Sequence, residues 1–164
     1  YNFGNLAAAI TIGDYFGVSI KNIKRAIESY VPKNNRSQLL EVGTNKIILD
    51  AYNANPTSML AALENFKQSE GKNKVLFLGD MFELGSETLK EHQYIASYIE
   101  KNKIGLTYLI GENFYKINSN SIHIHKLQSF EDLKNQLKID PPTNSLILIK
   151  ASRGMALERI LEIL

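Results

Sequence analysis

Four unbroken apolar runs constrain the fold of this chain more than any other feature. Each run ends in a charged residue or a glycine, and the runs are KIILD, KVLFLGD, LTYLIG and SLILIK, which end at Asp50, Asp80, Gly111 and Lys150. Segments with apolar residues at helical spacing lie between them. Strands that are apolar on both faces and alternate with helices are typical of a parallel sheet covered on both sides. The sequence therefore predicts an α/β fold with a mostly parallel sheet.

Turn and cap signals predict the remaining elements of this region. SQLLEV and KIILD flank GTN, which is typical of a hairpin. Helices are predicted over residues 56–69 and 86–101, in a short segment capped by Ser129, and over residues 154–164. A weaker strand is predicted in SIHIHKL, residues 121–127. These segments complete the alternation of strands and helices.

The N-terminal segment differs from the rest of the chain. A helix is predicted over residues 1–16, and a second helix follows Ser19, which is placed to cap it. VPKNN, residues 31–35, contains the helix-ending Pro32 and reads as a linker. Because two short helices bury little by themselves, we assign residues 1–33 to the end of a preceding domain and residues 34–164 to a separate domain. The chain begins with Tyr1 rather than Met, so we expect it to be a piece of a longer protein.

Composition argues against several classes of function. With 164 residues, 44% hydrophobic and 22% charged, the chain has the size and balance of about one globular domain. A net charge of +2, without a basic stripe, argues against nucleic acid as a partner. The sequence shows no bilayer-length apolar run and no signal peptide, so membrane insertion is not expected. The lack of cysteine excludes disulfides and thiolate metal sites and fits a reducing compartment such as the cytoplasm.

One strand-to-helix turn is unusually rich in polar groups. ILDAYNANPTSM, residues 48–59, contains Asp50, Asn53 and Asn55 around a tyrosine. Ligands of open parallel sheets bind beyond the carboxyl ends of the strands, where this turn is expected. Asn55 before Pro56 is a good helix cap, whereas Asn53 has no such role. Because a helix N-terminus flanked by carboxamides suits a carboxylate ligand, we predict that the turn as a group binds a ligand.

A second polar segment follows the last apolar run. In IKASRGM, Lys150 ends the strand, Ser152 is placed to cap the final helix, and Arg153 falls in its first turn. The helix dipole disfavours cations at this position. Two explanations remain open: the two cations bind a shared anion, or they pair with acids such as Asp50 or Asp80.

The other polar residues are weaker candidates. LGDMFELGSE holds Asp80 and Glu83 between two glycines but lacks the phosphate-binding glycine motifs, and two acids alone are weak grounds for a metal. His92 lies on the apolar face of its helix and is predicted to be a core or interface histidine rather than a catalyst. His123 and His125 alternate along a strand without an evident third ligand, which favours a half-exposed face. No metal site is predicted.

Several segments, in this order and at fitting spacing, carry a resemblance that covers essentially the whole chain. They are YNFGN followed by AAA, then NNRSQ, ILDAYNANPTSM, LGDMFELG and KASRGM. The chain resembles the C-terminal part of a Mur ligase. In DAYNANPTSM and LGDMFELG it is most similar to the member of that family that uses ATP to add D-alanyl-D-alanine to UDP-N-acetylmuramoyl-tripeptide in peptidoglycan precursor synthesis.

The resemblance implies a three-domain ligase that ends in a Rossmann-like domain with helices on both faces of its sheet. Residues 1–33 would be the last helices of the central ATPase domain, and residues 34–164 would be the C-terminal domain, in contact with the upstream part of its own chain. Members of the family activate a carboxylate with ATP as an acyl phosphate, which the incoming amine attacks. The phosphate loop and the ligands of Mg²⁺ are expected upstream. No catalytic residue is therefore expected here, and the piece is expected to be inactive by itself.

The resemblance also implies roles for individual residues. Asn2 would contact the adenine region, and Arg36 and Asp50 would reach the phosphates and ribose of ATP. The residues that would hold the substrates are Asn53, Asn55, Lys150, Ser152 and Arg153. Ala151 replaces a glycine of the motif usually written KGSR, and a positive φ at this position would strain the alanine.

Two other functions remain open on these residues. One is a non-catalytic Rossmann-like module that binds a small anion, a nucleotide or a partner protein. The other is a folylpolyglutamate synthetase-like ligase domain, against which the DAYNANPTSM turn argues. A phosphate loop upstream of Tyr1 would favour a ligase over the binding module.

Overall fold

A computed structural model describes residues 3–164 and divides the chain into two compact units, Tyr1–Pro32 and Lys33–Leu164. Tyr1 and Asn2 lie outside the described residues, so the predicted adenine contact of Asn2 stays a prediction. Within residues 3–164, no helix is long and apolar enough to span a membrane.

The first unit contains two helices, α1 (Phe3–Tyr15) and α2 (Ile20–Glu28). They touch where the Ile23 side chain lies against Gly13, so closely that a Cβ added to Gly13 would lie 3.1 Å from it. Ser19 occupies the N-cap position of α2, but its side chain makes no capping hydrogen bond. Neither helix has a buried residue. The assignment of this unit to a preceding domain stays a prediction.

The second unit is built on a six-stranded sheet within the described residues. Its strands are β1 (Gln38–Val42), β2 (Asn45–Asp50), β3 (Lys74–Gly79), β4 (Leu106–Ile110), β5 (Ile124–Leu127) and β6 (Leu146–Lys150). They lie in the order β1-β2-β6-β3-β4-β5. The β1–β2 hairpin is antiparallel and every other neighbouring pair is parallel. The predicted mostly parallel α/β sheet is confirmed.

Helices cover both faces of this sheet. They are α3 (Pro56–Gln68), α4 (Thr88–Asn102), α5 (Glu112–Tyr115) and α6 (Phe130–Ile139). Alternate residues of each strand point to opposite faces, and Leu76 and Leu78 of β3 pack with α3 and α4 in one apolar cluster. Val75 and Phe77 pack in a second cluster that includes α6 and the C-terminal segment. The unbroken apolar runs are therefore explained by burial on both sides.

The C-terminal segment departs from the prediction. The predicted α-helix over residues 154–164 is wrong, because the chain forms two 3₁₀ segments there, Arg153–Met155 and Leu157–Glu162. Ala156 lies between them in the left-handed region, with φ of 46°, which ends the first segment. Leu157 and Ile160 are both buried, and their spacing of three residues places them on one side of a 3₁₀ turn. The left-handed Ala156 thus interrupts the segment, and the buried side chains lie on one side of it.

Strand register brings the ends of the apolar runs to one edge of the sheet. Asp50 of β2 lies opposite Lys150 of β6, and Lys150 lies opposite Leu78 of β3. Gly79 in turn lies opposite Ile110 of β4. The polar residues that follow these strands are therefore neighbours, as the topology predicted, and we call this region the carboxyl edge.

Candidate functional site

A buried ion pair occupies the centre of the carboxyl edge. Nζ of Lys150 lies 2.5 Å from Oδ2 of Asp50 and also donates a hydrogen bond of 3.2 Å to the carbonyl oxygen of Asn53. Lys150 is only 2% exposed. The sequence left open whether Lys150 binds a ligand anion or pairs with an acid. In the structure it pairs with an acid, and the partner is Asp50 rather than Asp80. The structure thus places Lys150 beneath the surface that a ligand would contact.

Asp50 also fastens the segment that precedes β1. Its Oδ1 accepts hydrogen bonds from the backbone N–H of Ser37, at 2.9 Å, and from the Ser37 hydroxyl, at 3.4 Å. A charged acceptor makes such bonds stronger than neutral ones. Asp50 is itself buried, so the structure gives its carboxylate internal partners, and its predicted contact with ATP is not tested by this geometry.

Arg36 lies on the outside of this arrangement. The central carbon of its guanidinium group is 3.8 Å from the centroid of the Tyr52 ring, a cation–π geometry. The backbone N–H of Tyr52 donates a hydrogen bond of 3.1 Å to the carbonyl oxygen of Asn35. Within residues 3–164, the Arg36 side chain makes no hydrogen bond or ion pair. Sequence reasoning gave Tyr52 no role, although the residue lies in the polar turn that it singled out.

The two asparagines of the polar turn have different local contacts. Asn55 caps α3: its Oδ1 accepts from the N–H of Ser58 at 2.8 Å, and the Ser58 hydroxyl accepts from the N–H of Asn55 at 3.1 Å. This confirms the predicted cap. Asn53 was expected to have no such local role, but its Oδ1 accepts a hydrogen bond of 2.9 Å from the N–H of Ala54. Both side chains are exposed, and neither amide NH₂ donates a hydrogen bond among the described residues.

Ser152 does not cap a helix as predicted. Its hydroxyl oxygen accepts a 2.9 Å hydrogen bond from the N–H of Phe82 and donates one of 3.3 Å to the carbonyl oxygen of Ala54. Its own N–H donates to the carbonyl oxygen of Asp80 at 3.2 Å. Because β6 lies between β2 and β3, Ser152 is placed to join the segments that follow both neighbours. Ser152 is buried, so its contacts in this structure are with the protein.

Arg153 is held by an acid that sequence reasoning missed. Nη1 of Arg153 lies 2.5 Å from Oε1 of Glu158 within the C-terminal segment, and the Arg153 side chain remains 60% exposed. Glu158 was not found because the segment was expected to be an α-helix, in which residues five apart do not face each other. Ala151, next in the chain to Lys150, is not among the residues with positive φ and is therefore not strained.

Asp80 and His92 form a structural cluster beside this edge. Asp80 is buried and accepts hydrogen bonds of 2.9 Å from the N–H groups of Asn113 and Phe114 at the start of α5. His92 is 0% exposed, as its place on the apolar face of α4 predicted. Its Nε2 accepts from the N–H of Met81, and its Nδ1 lies 2.6 Å from the carbonyl oxygen of Thr88, to which it must donate. These contacts correspond to the tautomer that carries its hydrogen on Nδ1.

The arrangement suits an anionic ligand better than a metal ion. No group of three or more histidine, aspartate or glutamate side chains in residues 3–164 is placed to hold a metal. The acids at the edge, Asp50 and Asp80, are turned toward Lys150 and toward backbone N–H groups. The exposed groups are instead donors: the guanidinium groups of Arg36 and Arg153 and the carboxamides beside the start of α3. Such donors bind carboxylates and phosphates.

Comparisons with known proteins identify relatives of this chain. The chain is 34% identical over 170 residues to the UDP-N-acetylmuramoyl-tripeptide–D-alanyl-D-alanine ligase of Bacillus subtilis, an alignment that covers 99% of this chain and 37% of that protein. Among solved structures, MurF from Acinetobacter baumannii matches with a TM-score of 0.84 and 26% identity, over 98% of this chain and 36% of that one. The chain thus spans little more than a third of the length of these relatives.

A more distant similarity covers the folylpolyglutamate alternative. A bifunctional folylpolyglutamate synthase/dihydrofolate synthase from Yersinia pestis matches with a TM-score of 0.56 and 13% identity, over 88% of this chain and 34% of that one. This likeness shows a shared fold alone. The family model described as Mur ligase, glutamate ligase domain, matches residues 35–153. This match takes in well over half of the chain, which therefore belongs to the Mur ligase family, as its motifs predicted.

Proposed function

We propose that this chain is the C-terminal, dipeptide-binding part of an ATP-dependent ligase that adds D-alanyl-D-alanine to UDP-N-acetylmuramoyl-tripeptide in peptidoglycan precursor synthesis. The observation that carries the proposal is the alignment of 99% of the chain, at 34% identity, with the Bacillus subtilis ligase of that name. The similarity is not confined to the sheet that all members of the fold need. The alignment also spans the carboxyl edge, whose exposed donors are chemically suited to the carboxylate of the dipeptide and to the phosphates of ATP.

The dipeptide is assigned to the turn before α3. The carboxamides of Asn53 and Asn55 are exposed and their NH₂ groups donate no hydrogen bond within residues 3–164, and Asn55 lies at the helix N-terminus. A carboxamide both donates and accepts, so it can bind a peptide group or the free carboxylate of D-alanyl-D-alanine. The positive end of the helix dipole adds to the attraction for that carboxylate. Arg153 supplies a further donor on the same edge, restrained by Glu158.

The nucleotide is assigned to Arg36. When ATP converts the substrate carboxylate into an acyl phosphate, negative charge develops on the transferred phosphoryl group, and a positioned guanidinium group stabilises it. The amine of D-alanyl-D-alanine then attacks the acyl carbon, and the tetrahedral intermediate collapses to an amide and phosphate. Arg36 holds the phosphates during this sequence, whereas Asp50 and Lys150 fix the backbone beneath it. Within the part of the chain that the structure describes, no group of three or more acids and histidines is placed to hold a metal, and we assign Mg²⁺ to another part of the full-length protein.

Lys150 and Ser152 receive positioning roles in this proposal instead of direct contacts with substrate. Lys150 is bonded to Asp50 and to the backbone of Asn53, so it holds the turn before α3 in position relative to β6. Ser152 ties the same turn to the segment after β3. The partners of the chain are then the two substrates and the upstream part of its own protein, in the cytoplasm.

An assay of the full-length parent tests the proposal. Incubation with ATP, Mg²⁺, UDP-N-acetylmuramoyl-tripeptide and D-alanyl-D-alanine should give the amide together with ADP and phosphate. Replacing the dipeptide with glutamate should give none, and the 164-residue chain alone should be inactive. Amide formation from a folate and glutamate, with none from the tripeptide and the dipeptide, would instead identify a ligase of the folylpolyglutamate type, and nucleotide binding without any amide would identify a binding module.

A further inference from the structure

The three cations expected at the carboxyl edge differ in what their donors contact. Lys150 is buried against Asp50, and Arg153 is bonded to Glu158. Arg36 is exposed, and its side chain has no hydrogen bond or ion pair within the described residues. It contacts the ring of Tyr52 instead, 3.8 Å from the centroid. Of these three, Arg36 is therefore the cation with none of its N–H groups bonded within residues 3–164.

The contact with Tyr52 leaves those N–H groups available because of its geometry. A guanidinium group is planar, and its five donors point outward in its plane. Stacking uses the face of the group, so the donors at its rim stay open to an anion. An acid partner would occupy the same donors, as Glu158 does for Arg153. The ring thus restrains Arg36 without competing with phosphate.

The backbone around both residues fixes this stack in place. The N–H of Tyr52 is bonded to the carbonyl oxygen of Asn35, and the N–H of Ser37 is bonded to Asp50. The residues on either side of Arg36 have left-handed backbones, with φ of 58° at Asn35 and 49° at Ser37. A left-handed serine is uncommon, and it persists here beside two anchoring hydrogen bonds. These bonds hold the segment before β1 against the segment after β2.

We propose that Tyr52 is a positioning residue whose ring holds the guanidinium group of Arg36 by one face at the carboxyl edge, presenting its N–H groups to the phosphates of the nucleotide. The inference rests on the nucleotide role of Arg36 in the proposed function. Tyr52 acts through the face of its ring and not through its hydroxyl group. Phenylalanine can therefore replace it, whereas an aliphatic residue cannot.

The first arm of the test needs no ligase activity. In the 164-residue chain, the ring current of Tyr52 should displace the NMR signals of the Arg36 δ protons upfield, with Arg36→Ala used to assign them. The displacement should persist in Tyr52→Phe and disappear in Tyr52→Leu. Tyr94→Leu is the matched control, because Tyr94 is 52% exposed and Tyr52 43%. Persistence of the displacement in Tyr52→Leu would overturn the stacking itself.

The second arm measures turnover in the full-length parent. Arg36→Ala should lower kcat on the order of 100-fold, the typical cost of removing one donor from developing charge. Tyr52→Leu should lower kcat about two- to fivefold, the range expected from an exposed cation–π contact, with the Michaelis constant for D-alanyl-D-alanine unchanged. Tyr52→Phe should restore kcat, and Tyr52→Leu should add nothing to Arg36→Ala.

The outcomes separate the inference from the proposed function. Wild-type kcat in Tyr52→Leu, with Arg36→Ala still slow, would overturn the role of Tyr52 and leave that of Arg36 standing. Equal losses in Tyr52→Phe and Tyr52→Leu would assign the effect to the hydroxyl group and also overturn the inference. Wild-type kcat in Arg36→Ala would remove Arg36 from the reaction, and the role of Tyr52 with it, even if the NMR arm confirmed the stack.

Discussion

Replacing Gly79 with alanine should destabilise the second unit through a single steric contact. A Cβ at Gly79 would lie 2.7 Å from the Cβ of Ala151, well inside the 3.4–4 Å of ordinary contact. Gly79 is not among the glycines with positive φ, so the added methyl group meets no backbone penalty of its own. Gly79 is the last residue of β3 and Ala151 follows β6, and a ladder of hydrogen bonds holds these neighbouring strands together. The clash therefore cannot be relieved by separating the strands.

The size of the effect follows from this geometry. Overpacking a close-packed interior typically costs about 1–3 kcal/mol, so Gly79→Ala should lower Tm by roughly 3–10 °C. Ala151→Gly removes a buried methyl group and adds backbone freedom, which together cost about 1–2 kcal/mol. In the double variant the clash is absent. Its loss of stability should therefore be smaller than the sum of the two single losses by about 1–3 kcal/mol.

Urea unfolding of the 164-residue chain, followed by far-ultraviolet circular dichroism, measures all four members of this cycle. The slope of the unfolding free energy against urea should be unchanged, so that midpoints report stability. Independent sites add within about 0.5 kcal/mol. A double variant whose loss equals that sum would show that the methyl group of Ala151 is not what excludes a side chain at position 79.

Three further predictions concern the ion pair, the polar turn and a buried tyrosine. Lys150→Met alone should lower the free energy of unfolding by about 3–5 kcal/mol, because it leaves Asp50 buried without its cation. The double variant Lys150→Met with Asp50→Asn should lose less stability than Lys150→Met alone. A loss in the double variant that equals or exceeds that of the single variant in urea unfolding would contradict this account. In the full-length parent, Asn53→Ala should raise the Michaelis constant for D-alanyl-D-alanine roughly tenfold and leave that for ATP nearly unchanged, whereas a rise for ATP alone would place the nucleotide at this turn. Asn55→Ala should in addition cost about 1 kcal/mol of stability, since Asn55 caps α3. Burial, together with the nearby Asp140, raises the pKa of the Tyr108 hydroxyl, so the neutral form of this group favours the folded state. Its contribution to the free energy of unfolding is present below the ordinary tyrosine pKa of about 10 and is lost as pH rises above that value. Tyr108→Phe should therefore flatten the decline of the free energy of unfolding at high pH, and an unchanged slope against pH would refute the assignment.

The sheet could be predicted because each of its strands is recognisable from its own sequence pattern. An unbroken apolar run such as residues 74–79 needs burial on both faces, and both apolar clusters provide it. The carboxyl edge followed from topology, since the ends of parallel strands meet at one side. The cap at Asn55 and the buried position of His92 could also be predicted, because both depend on residues within one or two helical turns.

The contacts between distant segments could not be derived in the same way. Pairing of Asp50 with Lys150 requires β6 to lie beside β2, and nothing local to either strand encodes that order. The contacts of Ser152 depend equally on the segments that follow β2 and β3. The prediction for the C-terminal segment was wrong because its composition favours an α-helix, whereas the left-handed Ala156 interrupts the segment and the chain forms two 3₁₀ turns.

The position of Ser152 has a consequence for how this edge moves. The buried side chain of Ser152, just after the central strand β6, is hydrogen-bonded both to the segment after β2 and to the segment after β3. These loops therefore resist independent displacement, and adjustment to a ligand falls to exposed side chains such as Arg36 and Asn53. In hydrogen exchange, the amide of Phe82 should open with the sheet and not with the surface loops, although it lies outside every strand.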